Sequence, residues 1–291
     1  MRVELSVVIV TYNNASCIID CLYSLHQASS LPIQVVLVDN ASTDKTLSIL
    51  KAKQNEWGDF FSDFHIIANN RNLGYTKGVN QGLRWVCGRF VLLLNPDVLI
   101  TGNMNLLLEM LRNDIGIVAP QLRYPDGTIQ PSCRRFPRRR DVFLECLGFS
   151  IVFSSNAFLN YWKMPDFDHL TEYENCQPQG AFLLTRKVVL EQVGLLDERF
   201  PMFFSDVDWC QRVIKAGYTV KFTPRTYMIH FKGKSIFQRR LEMIISSHRS
   251  FVQYFKKQQS TRLQKIGTEM VYLFLLVGTL PRLLLTILRE S

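Results

Sequence analysis

Asp97 follows an apolar run, Phe90 to Leu94, that ends at Asn95 and Pro96. Such a short continuous run predicts a strand buried on both faces, and the proline, which cannot donate to a sheet ladder, predicts where it stops. An acid just beyond the carboxyl end of such a strand lies where open α/β sheets bind ligands, and its oxygen atoms suit a divalent metal. We interpret Asp97 as a metal ligand. The alternative is a turn residue, since Asp is common in turns.

The elements that would position Asp97 follow from the alternation of apolar segments. Strands are predicted over 5–10, 34–38, 64–68, 90–94 and 115–119, and short strands over 219–222 and 226–229. Helical spacing of apolar residues after the first two strands predicts βαβα, hence a parallel sheet with right-handed crossovers. A helix is predicted over 78–86, with Trp85 in the core. The fold class is therefore α/β, with a mostly parallel, Rossmann-like sheet flanked by helices.

The amino-acid composition indicates which binding partners and which cellular compartment to expect. The 291 residues are 47% hydrophobic and 20% charged, with a net charge of +9. This balance favours an anionic partner: nucleic acid, anionic lipid or a phosphorylated substrate. Seven scattered cysteines without a CxxC pair suit a reducing cytoplasm. The segment from Leu5 to Val10, preceded by Glu4, is too short for an export signal.

The pattern of apolar and charged residues changes after residue 130. Arg134 to Arg140 is a basic run, and nucleic acid is not expected as its partner because no recognition motif accompanies it. From residue 240 one helical face is apolar and another basic, and Val271 to Leu288 is strongly apolar but interrupted by Pro281 and Arg282. We predict a catalytic domain over 1–235 and, over 236–291, helices that lie on an anionic membrane surface. A solvated basic loop, and a soluble helix packed on the domain or on a partner subunit, are the alternatives.

Several segments, in their order along the chain, resemble the family 2 glycosyltransferases, especially the rhamnosyltransferase-like members. They are residues 6–13, Val38-Asp39-Asn40-Ala41-Ser42-Thr43-Asp44, Asn72-Leu73-Gly74, Gly78-Val79-Asn80, Asn95-Pro96-Asp97, Pro125-Asp126-Gly127, Gly180-Ala181, residues 194–200, Asp206-Val207-Asp208 and His230. The resemblance covers residues 6 to 235. It implies a GT-A fold, a nucleoside-diphosphate sugar donor, a divalent metal and inversion at the anomeric carbon.

The resemblance also implies a nucleotide site at the carboxyl ends of the first two strands. Thr11, Tyr12, Asn13 and Asp39 would hold the base and ribose. A carboxylate at Asp39 can accept the imide N–H of uracil or thymine, so a UDP- or dTDP-linked sugar is expected. The alternative is that Asp39 stabilises its loop or caps the next helix. Arg71 has no evident core role and is expected to reach base or phosphate.

The metal site implied by the resemblance is low in charge. The usual motif is Asp-x-Asp, and here Asn95 replaces the first acid, which leaves Asp97 to bind Mg²⁺ or Mn²⁺. His230 resembles the histidine that completes the site, with a polar strand end as the alternative. Lys234 is expected to offer a point charge to phosphate.

Asp206 matches the acid at the start of the catalytic helix, although Ser205 replaces the acid that usually precedes it. It is the predicted base. Asp208 is the rival, but the two carboxylates would point about 200° apart on a helix, so Asp208 is expected to cap the helix or to pair with Arg212.

Gly180 and Ala181 resemble the loop that lines the acceptor side, with a tight entry into a strand as the alternative. The resemblance as a whole implies metal-dependent, inverting transfer of a sugar, rhamnose by the subfamily, to a hydroxyl of a glycan or lipid-linked glycan in cell-surface polysaccharide synthesis. Such an enzyme would lie on the inner face of the cell membrane. A homodimer is left open.

Two other functions are weighed. A non-catalytic nucleotide-sugar-binding subunit would explain the acids missing at Asn95 and Ser205. A sugar-nucleotide pyrophosphorylase shares the α/β plan, but it should carry a glycine-rich phosphate loop after the first strand, where Thr11 to Asn14 has no glycine.

Overall fold

The computed structural model describes residues 3–112, 114–146, 152–231, 240–273 and 275. The strands are β1 (Leu5–Thr11), β2 (Ile33–Asp39), β3 (Asp63–Ala68), β4 (Phe90–Leu94), β5 (Val98–Leu99), β6 (Ile115–Arg123), β7 (Ile129–Gln130), β8 (Cys133–Arg134), β9 (Tyr173–Glu174), β10 (Gln177–Pro178), β11 (Phe182–Arg186) and β12 (Thr219–His230). The helices are α1 (Ile18–Ala28), α2 (Thr46–Ala52), α3 (Gln54–Phe60), α4 (Tyr75–Leu83), α5 (Met104–Met110), α6 (Arg139–Cys146), α7 (Lys187–Val193), α8 (Ser205–Lys215), α9 (Arg240–Gln258) and α10 (262–273).

The central sheet has the order β3-β2-β1-β4-β11-β6-β12-β5. Its first four strands are parallel, as predicted, and every residue of β1, β2 and β4 is buried. The continuous apolar runs of these strands are needed because helices cover both faces. Thr11 and Asp39 are register partners at the carboxyl edge.

The second half of the sheet is mixed. β11 enters between β4 and β6 and runs antiparallel to both. β12 is parallel to β6 and antiparallel to β5. The two short strands predicted over 219–222 and 226–229 are one strand, whose register shifts between Thr223 and Tyr227. Pro224 lies at this irregularity, where its missing N–H cannot serve a regular ladder.

Helix α4 lies unusually close to β1. An added Cβ at Gly78 would come within 2.9 Å of Val10, and one at Gly82 within 2.5 Å of Val8. The helix spans Tyr75–Leu83 rather than the predicted 78–86, because its first turn docks on the loop before α8. The predicted core position of Trp85 is wrong: the residue follows the helix and is 54% exposed.

Helix α9 packs against the segment that leads into α8. Phe204 contacts Phe251 with ring centroids 4.5 Å apart. Lys257 Nζ lies 2.6 Å from Asp208 and 2.7 Å from Asp197. Part of the predicted appendage thus packs on the predicted catalytic domain. The predicted boundary falls within residues 232–239, outside the described part of the chain. Among the described helices, none is long and apolar enough to cross a membrane.

Candidate active site

The carboxyl ends of β1 and β2 form a closed hydrogen-bonded corner. Asp39 is fully buried, and its Oδ1 accepts from the Thr11 hydroxyl at 3.0 Å and from the Ser42 hydroxyl at 2.6 Å. Its Oδ2 accepts from the Ser42 N–H at 3.0 Å. These contacts match the alternative in which Asp39 stabilises its loop. Nucleotide binding by Asp39 and Thr11 stays a prediction.

The loop after β1 is held by side chains rather than by the sheet. Asn13 has a φ of 57°, a left-handed conformation that Asn tolerates better than most residues. Its Oδ1 accepts from the Thr43 N–H at 2.8 Å. Tyr12 is partly buried and donates its N–H to Asn14. Both predicted nucleotide-binding residues thus lie at the carboxyl edge of the sheet, on a loop that side-chain hydrogen bonds hold in place.

Asn40 is a residue that the sequence analysis assigned no role. Its buried amide donates to Asn72 Oδ1 at 3.0 Å and to the Gly74 carbonyl at 3.1 Å, and its Oδ1 accepts from the Leu73 N–H at 3.0 Å. These bonds join the loop after β2 to the loop before α4. Arg71, predicted to reach base or phosphate, is exposed on this second loop.

Asp97 and His230 are brought together by the antiparallel pairing of β5 with β12, in which His230 faces Val98. His230 Nε2 lies 3.4 Å from Asp97 Oδ1, and the two side chains are 7% and 14% exposed. His230 Nδ1 lies 2.7 Å from Gln130 Oε1. With the amide oxygen on this side, Nδ1 is the donor to Gln130, and Nε2 is directed at the carboxylate.

A carboxylate oxygen and an imidazole nitrogen directed at each other in this way are ligands that fit a divalent cation. Metal–ligand bonds of about 2.1 Å from each of the two atoms can meet at one ion across a separation of 3.4 Å. The second ring nitrogen of a metal-bound histidine ordinarily donates to an acceptor, and here Gln130 Oε1 is in that position. The described residues contain no group of three or more His, Cys, Asp or Glu that could hold a metal. Mg²⁺ is commonly held by one or two carboxylates together with substrate phosphates, so the pair fits a metal that arrives with a diphosphate.

Asp206 opens α8 and reaches the loop before β11. Its Oδ2 accepts from the Gly180 N–H at 3.0 Å, and its Oδ1 accepts from the Val207 N–H at 2.9 Å. Burial raises the pKa of its carboxyl, while the two backbone N–H groups and the charge of Arg134 act in the opposite direction. A raised pKa makes a carboxylate a better proton acceptor near neutral pH.

Asp208 points away from Asp206, as the helical spacing predicts. It is 3% exposed, accepts from Arg212 Nε at 2.8 Å, and pairs with Lys257 at 2.6 Å. The predicted pairing with Arg212 is confirmed. Its two oxygen atoms are each paired with a cation, so its contacts favour a structural role.

Gly180 and Ala181 connect the predicted base to the predicted metal motif. The Asn95 N–H donates to the Ala181 carbonyl at 2.9 Å, while Gly180 donates to Asp206. A Cβ added at Gly180 would lie 3.3 Å from the Asp206 Cβ, so a side chain there would press on the carboxylate. The loop therefore lines the space between Asp97 and Asp206.

Tyr75 was missed by the sequence analysis. Its hydroxyl lies 3.4 Å from the Gly180 carbonyl. Burial raises the pKa of Tyr75 well above its usual value, and the charges of Asp206 and Asp97 add to the effect. The Tyr75 hydroxyl thus lies close enough to both predicted functional carboxylates for their charges to raise its pKa. Nothing in the sequence distinguishes a tyrosine at the start of a helix that lies beside functional carboxylates from one that does not. Lys234 lies outside the described residues.

Sequence comparison gives a consistent picture. The profile of glycosyl transferase family 2 matches residues 6–161. The N-acetylglucosaminyl-diphospho-decaprenol L-rhamnosyltransferase of Mycobacterium tuberculosis is 28% identical, over 84% of this chain and 82% of that protein. The low-salt glycan biosynthesis hexosyltransferase Agl10 of Haloferax volcanii is 23% identical, over 75% of this chain and 64% of that protein.

Structural comparison extends the likeness to almost the whole chain. The mannosyltransferase PcManGT from Pyrobaculum calidifontis, in complex with GDP-Man and Mn²⁺, has a TM-score of 0.60 and 18% identity, over 96% of this chain and 74% of that one. TarS of S. aureus in complex with UDP-GlcNAc has a TM-score of 0.53 and 15% identity, over 94% and 72% of the respective chains. Likeness at such low identity bears on the fold alone.

Proposed function

Because this chain belongs to glycosyl transferase family 2 and is a glycosyltransferase with the GT-A fold, we propose that it transfers rhamnose, with inversion, from a nucleoside-diphosphate sugar to a hydroxyl of a lipid-linked glycan. The carrying observation is the convergence of Asp97, His230 and Asp206 on one edge of the sheet, joined through the loop at Gly180. These three side chains are far apart in the chain, and each has the chemistry that one part of the transfer needs.

Asp206 is proposed as the base. It takes the proton of the acceptor hydroxyl while the acceptor oxygen bonds to the anomeric carbon and the bond from that carbon to the diphosphate oxygen breaks. This single displacement inverts the anomeric centre and releases the nucleoside diphosphate. Base catalysis of this kind contributes about 10²–10⁴-fold. The raised pKa of Asp206 and its position against Gly180 support the assignment.

Asp97 and His230 are proposed to hold Mg²⁺ or Mn²⁺. The bound ion would neutralise the charge that develops on the departing diphosphate. Asn95 makes this a one-acid motif, and the lower charge leaves His230 a larger share of the binding. The Mn²⁺ in the P. calidifontis structure supports a divalent ion for the family.

The donor is proposed to be a UDP- or dTDP-linked sugar held near Thr11, Tyr12, Asn13, Asp39 and Arg71. The acceptor is proposed to be a lipid-linked glycan, by analogy with the name of the mycobacterial relative, whose acceptor is a diphospholipid. An enzyme with such an acceptor would work at the cytoplasmic face of a membrane, and the chain's net charge of +9 suits anionic lipids.

A donor screen tests the proposal. Purified full-length chain with Mg²⁺ or Mn²⁺ is given UDP- and dTDP-linked sugars and an N-acetylglucosaminyl-diphospholipid in detergent. We expect nucleoside diphosphate release that requires acceptor, is fastest with a rhamnose donor, and stops on addition of EDTA. Faster release with another sugar would overturn the rhamnose assignment, and release unaffected by EDTA would overturn the metal assignment. The anomeric configuration of the product, read by NMR, tests inversion.

A further inference from the structure

Strands β8 and β10 form a short antiparallel ribbon beside the candidate active site. Within it Cys133 lies opposite Pro178, and the Gln179 N–H donates to the Ser132 carbonyl at 2.8 Å, which extends the ladder by one step. Successive side chains of a strand point to opposite faces, and side chains directly opposite each other share a face. The ribbon therefore has two faces, with Cys133 and Pro178 on one and Ser132 and Gln179 on the other.

The two faces of the ribbon differ in chemistry. The first is apolar, and Cys133 is buried there in a cluster with Cys176 and Phe222. The second is polar, and a side chain of the preceding strand β7 continues it. We call this second surface the polar face, and its members are Gln130, Ser132, Arg134, Gln177 and Gln179.

The polar face extends from the predicted metal ligands to the predicted base. At one end Gln130 Oε1 lies 2.7 Å from His230 Nδ1. At the other end Gln177 Nε2 donates to Asp206 Oδ2 at 3.4 Å, and the charge of Arg134 acts on the same carboxyl group. The middle of the polar face therefore lies between the two parts of the candidate site.

Three polar atoms of this face are buried and have no hydrogen-bond partner among the described residues. They are Gln130 Nε2, Ser132 Oγ and Gln179 Oε1. The side chains of Gln130 and Ser132 belong to residues that are 0% and 2% exposed. A buried polar atom without a partner destabilises the folded chain, and such atoms are uncommon in native proteins. Three of them on one face indicate a ligand that supplies the missing hydrogen bonds.

The proposed reaction places one part of its substrates beside the polar face. In a single displacement, the diphosphate leaves from one side of the anomeric carbon while the acceptor hydroxyl attacks from the other. With the diphosphate at Asp97 and His230 and the acceptor hydroxyl at Asp206, the transferred sugar lies between them. The sugar ring then lies along the polar face, whose two ends contact His230 and Asp206.

We propose that Gln130, Ser132 and Gln179 bind the ring hydroxyls of the transferred sugar. The amide nitrogen donates, the amide oxygen accepts and the serine hydroxyl does either, which matches sugar hydroxyls that both donate and accept. All three side chains are uncharged, which suits a neutral sugar. This assignment rests on the proposed function and adds to it the residues that recognise the sugar.

Ser132→Ala in the full-length chain tests the polar face with little disturbance of the fold. The variant should bind UDP- or dTDP-linked rhamnose about 3- to 10-fold more weakly, with a similar loss in kcat/KM for that donor, because one hydrogen bond to the sugar is lost. Its affinity for UDP or dTDP alone should be unchanged. Its melting temperature should be unchanged or higher, because a buried hydroxyl without a partner is removed. Gln179→Leu should change the donor affinity in the same direction.

Isothermal titration calorimetry with Mg²⁺ measures the affinities, and steady-state turnover at saturating acceptor measures kcat/KM. Ser250→Ala is the matched control, because Ser250 is also 2% exposed but its hydroxyl donates to the Ser246 carbonyl at 2.8 Å. We expect this control to lower the melting temperature and to leave kcat/KM unchanged. Donors that lack one ring hydroxyl identify the group bound by Ser132, since the wild type and Ser132→Ala should use the donor without it equally well.

Equal affinity of the wild type, Ser132→Ala and Gln179→Leu for the sugar donor would overturn the proposal. A weaker donor affinity that comes with an equally weaker affinity for UDP or dTDP, or with a lower melting temperature of Ser132→Ala, would overturn it too, because the polar face would then be structural. An effect confined to the KM of the acceptor would assign the polar face to the acceptor instead of the transferred sugar. Absence of turnover by the wild type with every donor contradicts the proposed function, and the donor affinities then decide the role of the polar face by themselves.

Discussion

Strands β1, β2 and β4 are buried along their whole length, whereas β12, which ends at His230, mixes buried and exposed positions. In the first region, the parallel half, polar side chains at the sheet edge satisfy one another, as at Asp39. In the second region, which comprises Asp97 with β5, β12 and the start of α8 and which we call the transfer half, polar side chains are held by contacts between distant segments. His230 is held by Gln130, 100 residues away, and Asp206 by Gly180.

The carboxylates of the two regions differ in what they are available to do. That of the parallel half supports its loop, and those of the transfer half are candidates for chemistry. Asp39 receives three hydrogen bonds inside a rigid corner, so its oxygen atoms are already used within the loop. In the transfer half, burial outweighs hydrogen bonding at Asp206 and raises its pKa, and Asp97 Oδ1 lies 3.4 Å from His230 Nε2. Groups left in such states are the ones able to take up a proton or a cation.

The largest expected effect comes from the base. Asp206→Asn should lower kcat by about 10²–10⁴-fold and leave the melting temperature unchanged or higher. Burial raises the folded-state pKa of Asp206, so its charged form costs stability at neutral pH. The wild-type kcat should fall as pH drops through that raised pKa, and the variant should lack this limb. Retained turnover, with Asp59→Asn on α3 as the control, would assign the base elsewhere.

Next comes the ion pair that ties α9 to α8. Lys257→Met leaves the buried Asp208 with Arg212 alone, and we expect a loss of about 2–3 kcal/mol in the free energy of unfolding. Lys256→Met removes the neighbouring lysine, whose partner is exposed, and should cost less than about 1 kcal/mol. Urea denaturation measures both. Equal losses would mean that α9 is not anchored through Lys257.

A smaller effect is expected from the residue that orients His230. Gln130→Leu should weaken Mn²⁺ binding by about 10- to 100-fold, because the Nδ1 proton loses its acceptor and the lone pair of Nε2 is no longer directed at Asp97. Mn²⁺ titration followed by electron paramagnetic resonance, with the nucleoside diphosphate present, measures this. Gln192→Leu, on the exposed surface, should leave the affinity unchanged. Unchanged affinity in Gln130→Leu would refute the orienting role.

The smallest effect is expected at the corner formed by Thr11, Asp39 and Ser42, where Asp39 accepts three hydrogen bonds. Ser42→Ala removes one of three hydrogen bonds to Asp39, and about 1 kcal/mol of stability should be lost. Ser48→Ala, on the exposed side of α2, should change nothing measurable. If Ser42→Ala instead weakened nucleotide binding at constant melting temperature, Asp39 would belong to the ligand rather than to the loop.

Sequence reasoning predicted the strands of the parallel half almost completely, and nucleotide binding there stays a prediction. Short apolar runs specify buried parallel strands, and parallel register then places Thr11 beside Asp39 without further information. It also reached the opposed directions of Asp206 and Asp208, because helical spacing alone determines them. It failed at Trp85, which lies just past its helix, and at β12, which was predicted as two short strands and is one strand with a register shift.

The roles of Tyr75 and Gln130 and the docking of α9 on Phe204 had no local signal. From the sequence, a tyrosine or a glutamine in the hydrophobic core cannot be told from one in a functional site. Only contacts between residues far apart in the chain distinguish the two positions. Local patterns along the chain therefore determined the fold class and the candidate carboxylates. The environment of each carboxylate was decided by the tertiary structure, because hydrogen bonding and burial depend on which distant segments meet.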